Sequence, residues 1–121
     1  MQISFNILLF TDQSEVGASL NVEPALIKNS QYVSVTWNEV QNATAKDFIV
    51  LYCPENAADN DYIDYFNADV SSTYQQGNGE YSVQLTNLRT NCEMRYFRYI
   101  SKEVQEFVTR SNIVMFEGGP E

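Results

Sequence analysis

Residues 83–99 read VQLTNLRTNCEMRYFRY, and this stretch decides the fold. Val83 and Leu85 alternate with polar neighbours, so they face one side of a predicted strand. Leu88 is expected to be buried and to close a short polar corner, after which an aromatic-rich strand starts at Cys92. A strand, a buried leucine, a tight corner and a long strand are typical of the last strands of an immunoglobulin-like or fibronectin-III-like sandwich.

Further short apolar segments, separated by turn signals about every ten residues, extend this pattern to an all-β two-sheet sandwich. Val33, Val35 and Trp37 alternate and are predicted to face the core, whereas residues 48–52 (FIVLY) are apolar on both sides, as in a central strand. Residues 104–110 are either a turn of helix or, preferably, the second strand of a hairpin. Other strands are predicted at 4–10, 20–27 (broken at Pro24), 62–66, 81–85, 92–100 and 112–116, with a weak one at 73–75.

Composition narrows the function to non-catalytic classes. The 121 residues carry 16 acidic and 7 basic side chains, a formal net charge of −9, which disfavours nucleic acid and anionic membranes as partners. The sequence has no histidine, so the commonest general base and metal ligand is missing. No glycine-rich phosphate loop is present. We therefore expect no enzyme activity and no cofactor.

The N-terminal segment is apolar and unusual. Residues 1–10 (MQISFNILLF) resemble part of a signal peptide, but they lack a basic first region and are too short to span a membrane. We interpret residues 1–17 as an arm and polar link, followed by a sandwich at 18–121. The arm either adds to its own sheet or crosses into a neighbouring subunit, and the second case could build filaments. Its candidate assembly residues are Ile3, Phe5, Ile7, Leu8, Leu9 and Phe10.

Several segments resemble the fibronectin-like domain that precedes the catalytic domain of plant-type purple acid phosphatases. Residues 47–54 are similar to that family's DWIGIYSP strand, and 87–91 with Met94, Phe97 and Arg98 are close to its NLRSNYSFRIFRW segment. Further similar segments are 20–24 (LNVEP), 33–37 (VSVTW) and 119–121 (GPE).

The family's metal-binding motifs, GNH and GHxH, do not occur here, so no catalytic residue carries over. The tyrosine that usually marks the sandwich corner is replaced by Met94 or displaced. The resemblance therefore implies a non-catalytic accessory module, either part of a metallophosphoesterase or used alone.

Two sequence features, a pair of cysteines and a glycosylation sequon, bear on localisation. Cys53 ends the predicted central strand and Cys92 begins the strand expected beside it, so a disulfide is geometrically reasonable, with two buried free thiols as the alternative. Asn42 begins the sequon Asn-Ala-Thr in a polar loop and is a candidate glycosylation site. Together they favour a secreted or cell-surface protein.

Two further groups of residues are candidate ligand sites. Asp59, Asp61 and Asp64 are weak calcium candidates, although a solvated acidic loop is the simpler interpretation. The aromatic residues Tyr62, Tyr65, Phe66, Tyr74 and Tyr81 could form an exposed patch, although core packing is favoured.

The sequence thus predicts a non-catalytic extracellular structural or interaction module that self-associates through its N-terminal strand as an oligomer or filament. The alternatives are the accessory domain of a metallophosphoesterase and a calcium- or glycan-binding sandwich. The expected partner is protein, most simply a second copy of the chain, without membrane insertion.

Overall fold

The computed structural model describes residues 14–118, which form an immunoglobulin-like or fibronectin-III-like β-sandwich. One sheet has the order β1-β3-β6, the other has the order β5-β4-β7-β8, and β2 pairs in parallel with β9. The strands are β1 Ser19–Glu23, β2 Leu26–Ile27, β3 Gln31–Asn38, β4 Phe48–Tyr52, β5 Asp64–Asn67, β6 Gly79–Leu85, β7 Glu93–Ser101, β8 Val104–Arg110 and β9 Met115–Phe116.

The main core lies between the two sheets, and strand alternation explains it. Val33, Val35 and Trp37 of β3 are buried, as predicted, and they face Ile49 of β4 and Tyr96 of β7 across the sandwich. Each fully buried aliphatic side chain contributes about 1.5–3 kcal/mol to the free energy of unfolding. The central position of β4, between β5 and β7, is also confirmed.

Most predicted strands are confirmed within a few residues. The break at Pro24 separates β1 from β2, and residues 104–110 form the second strand of the β7–β8 hairpin. In that hairpin Tyr96 pairs with Thr109 and Phe97 with Phe107, so Val108 is the extra residue of a β-bulge. The predicted strand at 4–10 lies outside the described residues.

Two details of the prediction were wrong. Leu88 is 45% exposed rather than buried, because the corner places it at the surface and Leu85 supplies the buried side chain instead. Residues 73–75 do not form a strand. They fall in a 3-10 turn, Tyr74–Gln76, which ends at Gly77 in the left-handed conformation (φ 82°).

Candidate interaction surface

A second apolar cluster lies on the opposite side of the four-stranded sheet, facing away from the main core. The register pairs Phe48 with Phe97 and Phe97 with Phe107, and alternation puts them on the same face as the rest of the cluster. We call this surface the outer aromatic face. It consists of Phe48, Val50, Tyr52, Phe97 and Phe107, all of them buried.

The rings of the outer aromatic face form a continuous row across three strands. The centroids of Phe48 and Phe97 are 6.0 Å apart in a stacked arrangement, and those of Phe97 and Phe107 are 6.0 Å apart edge to face. Tyr65 of β5 extends the row, with its ring 6.3 Å from that of Phe48. Such pairs add about 0.5–1.5 kcal/mol each beyond the area they bury.

Arg95 closes one end of this face with a network of charges. Its guanidinium lies 3.8 Å from the centroid of the Tyr52 ring, and it donates hydrogen bonds to Glu93 (2.6 Å), Asp59 (2.8 Å) and the Glu55 carbonyl (2.8 Å). Burial alone would lower the pKa of Arg95, but the carboxylates of Glu93 and Asp59 outweigh it and raise that pKa. The planar guanidinium thus satisfies the buried Glu93 and stacks on an aromatic ring at once.

Tyr52 is held in the same network. Its hydroxyl donates to the Asp59 carbonyl at 2.9 Å. Burial raises the pKa of Tyr52, and the negative charge of Asp59 raises it further. The phenol therefore stays neutral in the physiological range and serves as a structural donor.

A shallow polar cleft opens beside Arg95. It is lined by Glu55, Asp59, Glu93 and Arg110, among others. Its potential nucleophile, Ser111, accepts from the Met94 amide (2.9 Å) and donates to the Asn112 carbonyl (2.7 Å). Through these two hydrogen bonds, the Ser111 hydroxyl connects the start of β7 to the segment that follows β8.

A second polar network, at the other end of β7, is centred on Asp47. This buried carboxylate accepts from the Tyr96 hydroxyl (2.7 Å), the Tyr99 amide (2.9 Å) and both the amide and hydroxyl of Thr44 (3.0 Å each). Burial raises the pKa of Tyr96, and the charge of Asp47 raises it further. The network connects the loop before β4 to β7, so its role is structural.

At the same end of β7, Arg98 holds the start of the described chain in place. Its guanidinium pairs with Glu15 (2.6 Å) and Glu106 and donates to the Gln41 carbonyl. Burial would lower the pKa of Arg98, but the two carboxylates raise it. Glu15 is therefore fixed at the edge of the four-stranded sheet.

Sequence reasoning did not predict the networks centred on Arg95, Arg98 and Asp47. The available signal was the spacing of charges within an otherwise apolar strand, Glu93, Arg95 and Arg98 in β7. Charges on a strand that is buried on both faces need partners, because an unpaired buried charge is costly. The partners themselves lie 36 or more residues away for Asp59, Gln41 and Glu15.

The predicted disulfide is present. Cys53 and Cys92 are bonded, with Cα atoms 4.4 Å apart, and join the end of β4 to the start of β7. Asn42 lies in an exposed turn, where a glycan would find space, and its glycosylation stays a prediction. The six apolar residues of the predicted assembly arm, from Ile3 to Phe10, lie outside the described residues.

The calcium candidates do not converge in the structure. Asp59 is paired with Arg95, and Asp64 accepts a hydrogen bond from the Tyr65 amide at 2.8 Å. Within residues 14–118, no three His, Cys, Asp or Glu side chains are grouped so that they could hold a metal ion. Calcium binding through Asp59, Asp61 and Asp64 stays a prediction.

The five aromatic residues predicted as a possible patch are divided between two surfaces. Tyr62 and Tyr65 pack edge to face beside the outer aromatic face, with centroids 6.3 Å apart. Phe66 instead contacts Tyr81 (4.8 Å) and Trp37 (6.1 Å) at the margin of the main core, against which Tyr74 also packs. The packing interpretation therefore describes these rings better than a single exposed patch.

Comparison with known proteins gives one informative relative. The chain is 30% identical over 88 residues to the probable inactive purple acid phosphatase 9 of Arabidopsis thaliana. The match covers 72% of this chain but 14% of that protein. The chain is thus related in sequence to a region of a plant purple acid phosphatase. No protein-family model matches it, and neither does any solved structure. No helix in residues 14–118 is long and apolar enough to cross a bilayer.

Proposed function

We propose that this chain is a non-catalytic accessory β-sandwich of a purple acid phosphatase-related protein. The observation that carries the proposal is the 88-residue match to a phosphatase relative that is itself described as inactive. The chain's composition supports it, because a sequence without histidine lacks the usual ligands and bases of a metallophosphatase.

The chemistry of the described side chains agrees with a structural role. Arg95 and Arg98, the two buried cations of the described residues, are each held by two carboxylates and a backbone carbonyl of the sandwich itself. Binding a phosphate to either of them would require breaking these buried pairs, which is costly.

A phosphatase assay tests the proposal. The purified chain is incubated with p-nitrophenyl phosphate in the presence of Fe³⁺, Zn²⁺ or Mn²⁺. We expect hydrolysis at the rate of the protein-free control. Hydrolysis that co-elutes with the chain and disappears after heat denaturation would overturn the non-catalytic assignment.

Sequencing the transcript beyond codon 121 tests the accessory part. We expect the reading frame to lead into a histidine-containing metal motif. A stop codon directly after Glu121 would leave the module without an enzyme and would favour its independent use.

We also propose a secreted or cell-surface location. The Cys53–Cys92 disulfide supports it, since such bonds persist in oxidising compartments. Expression in a eukaryotic host with a downstream epitope tag, followed by peptide-N-glycosidase treatment, tests both location and the Asn42 glycan. We expect a mobility shift that Asn42→Gln abolishes, and tag found only in the cytosol would contradict the location.

Self-association through the N-terminal segment stays a prediction of the sequence. It requires a surface that accepts the segment, and the native mass of the chain across a concentration series tests it. Calcium or glycan binding also stays a prediction, and a ligand-dependent rise in melting temperature at millimolar concentration would support it.

A further inference from the structure

The outer aromatic face is buried although it points away from the three-stranded sheet. Val50 and Phe97 have no exposed surface at all. A sheet that is apolar and buried on both faces needs a layer on each of them. The loop at 53–63 supplies Ala57 and Tyr62 to this second layer.

The start of the described chain is attached beside this face. The Glu15 amide donates to the Val108 carbonyl at 2.6 Å, and the hydroxyls of Ser14 and Thr109 are 3.0 Å apart. Val108 is the bulge residue of β8, so its carbonyl is turned away from the β7 ladder. Because Phe107 is its neighbour in β8, the chain upstream of Ser14 starts at the rim of the outer aromatic face.

The distances favour docking within one chain. Phe10 precedes Ser14 by four residues, which span up to about 13 Å when extended. Neighbouring strands are about 4.8 Å apart, so β8 and β7 both lie within this reach. The rest of residues 3–10 is long enough to continue across β4.

The composition of the two surfaces is complementary. Residues 3–10 (ISFNILLF) contain six large apolar side chains and no charge. The outer aromatic face offers four rings and a valine. We propose that the outer aromatic face is the docking surface for residues 3–10 of the same chain, which cover it as part of the second apolar layer.

Docking within the chain has a consequence for assembly. Both the apolar segment and the aromatic face are removed from water together, so neither remains available to a second copy. The chain is then a monomer whose assembly would require release of the segment.

Photo-crosslinking in the full chain tests the docking directly. Benzoylphenylalanine replaces Phe10 in one sample and, as the matched control, Tyr32, which is 62% exposed on the three-stranded sheet. After illumination, bands are separated by mass and the linked peptides are identified. We expect the position-10 probe to link to β4, β7 or β8 peptides in the monomer band, and the position-32 probe to give no such link.

Two results would overturn the proposal. Position-10 links confined to a dimer band, growing with concentration, would assign the segment to a neighbouring copy, as the assembly prediction requires. Links to the three-stranded sheet, or none to β4, β7 or β8, would remove the outer aromatic face as the docking surface. Light scattering across a concentration series accompanies the experiment, and a constant 13.9 kDa mass supports docking within the chain.

A second measurement avoids dependence on a single probe. Serine replaces all six apolar residues of the segment in the full chain, and Gln2→Ser with Asn6→Ser is the control. We expect the six-serine variant to bind more of a hydrophobic dye than the control does and to lose slow hydrogen exchange in β8 more than in β1 and β3 of the other sheet. An exchange pattern in β8 equal to that of the control would contradict the proposal.

Discussion

Asp47 and Tyr96 show how a single residue can connect distant parts of the sandwich. The carboxylate has no exposed surface and accepts four hydrogen bonds, one of them from the Tyr96 hydroxyl. Four donors around one carboxylate replace the water that it loses on burial. The loop before β4 is thereby held to β7 by polar contacts as well as by apolar packing.

Alkaline pH is expected to destabilise the protein through its two buried tyrosines. Burial raises the pKa of Tyr52 and Tyr96 above the unfolded value of about 10. Below that pH both states keep the phenol protons, so this contribution to stability is complete. Above it the unfolded state loses the proton first, and the free energy of unfolding falls by about 1.4 kcal/mol per pH unit for each tyrosine.

Urea denaturation between pH 7 and 11.5 measures this slope. Tyr96→Phe should remove about half of the tyrosine-dependent slope, because of the two tyrosines with a raised pKa only Tyr52 then remains. Tyr32→Phe is the control, since Tyr32 is 62% exposed. Equal slopes for the two variants would contradict the assigned role of Tyr96.

Arg95 should be sensitive to substitution, because its buried guanidinium is paired with two carboxylates. Arg95→Met removes the 2.6 Å partner of Glu93, which is 4% exposed, and leaves a buried carboxylate with weak compensation. We expect a loss of about 3–5 kcal/mol in the free energy of unfolding. Arg95→Lys should recover only part of it, because an ammonium cannot bridge two carboxylates and stack on Tyr52.

Arg110→Met is the matched control for this change. Arg110 has a 44% exposed side chain and lies 3.6 Å from the same Glu93, so its removal should cost less than about 1 kcal/mol. Chemical denaturation of the three variants decides the point. Similar losses for Arg95→Met and Arg110→Met would show that the network around Arg95 contributes little.

These residues also mark a limit of sequence reasoning. The alternation in β3 predicted the burial of Val33, Val35 and Trp37, because it depends on neighbours two residues apart. The partners of Arg95 and Asp47 depend instead on which strands become adjacent. No local pattern could indicate that Asp59 would meet Arg95 or that Tyr96 would meet Asp47.

At the scale of elements, strands were predicted well and the connections between them less well. Apolar alternation located β3, the doubly apolar run FIVLY located β4, and the aromatic-rich stretch from Cys92 located β7. The expected adjacency of β4 and β7 in turn indicated the disulfide. The segment around Tyr74 has aromatic and polar residues that suit a strand, yet the left-handed Gly77 ends a 3-10 turn there. Leu88 was expected in the core, but positive φ at Arg89 (66°) turns the chain at the surface.

Gly79 sets how closely β6 can approach β3, and Gly79→Ala tests this. A Cβ at this position would lie 2.6 Å from Cε2 of the buried Trp37 and 2.8 Å from Cβ of Ser71. We expect a loss of about 3 kcal/mol in the free energy of unfolding from overpacking. Gly17→Ala, which meets nothing within 4 Å, should lose only about 1 kcal/mol from its positive φ.

The smaller side chain of Trp37→Phe should relieve the clash at Gly79. The cost of Gly79→Ala is then expected to be lower in the Trp37→Phe background than in the natural sequence, as urea denaturation of the four variants would show. Additive costs would mean that Trp37 does not limit the approach of the strands.

At the scale of the whole molecule, sequence composition mainly informed the expectation that the chain is not an enzyme. The sequence has no histidine, and it therefore lacks the commonest general base and the commonest neutral metal ligand. In the sequence, the second apolar face of the four-stranded sheet was indicated only by residues 48–52 (FIVLY), which are apolar on both sides of the strand. Its extent depends on Phe97 and Phe107, which strand pairing brings beside Phe48.

The disulfide connects the central strands of the molecule, so its reduction should weaken the whole fold. Cys53 and Cys92 are 39 residues apart, and closing such a loop contributes about 4 kcal/mol in the chain-entropy account. Domains of this size are commonly stable by about 5–15 kcal/mol, so reduction would remove between about a quarter and four fifths of that stability. A chain with this dependence suits an oxidising compartment.

Urea denaturation with and without dithiothreitol measures the effect, with mass spectrometry verifying two free thiols after reduction. The doubly substituted Cys53→Ala, Cys92→Ala variant should be destabilised to the same degree and should not respond to dithiothreitol. An unchanged urea midpoint in the fully reduced natural chain would show that packing alone holds β4 against β7. The fold would then be equally suited to a reducing compartment, and the disulfide would no longer support a secreted location.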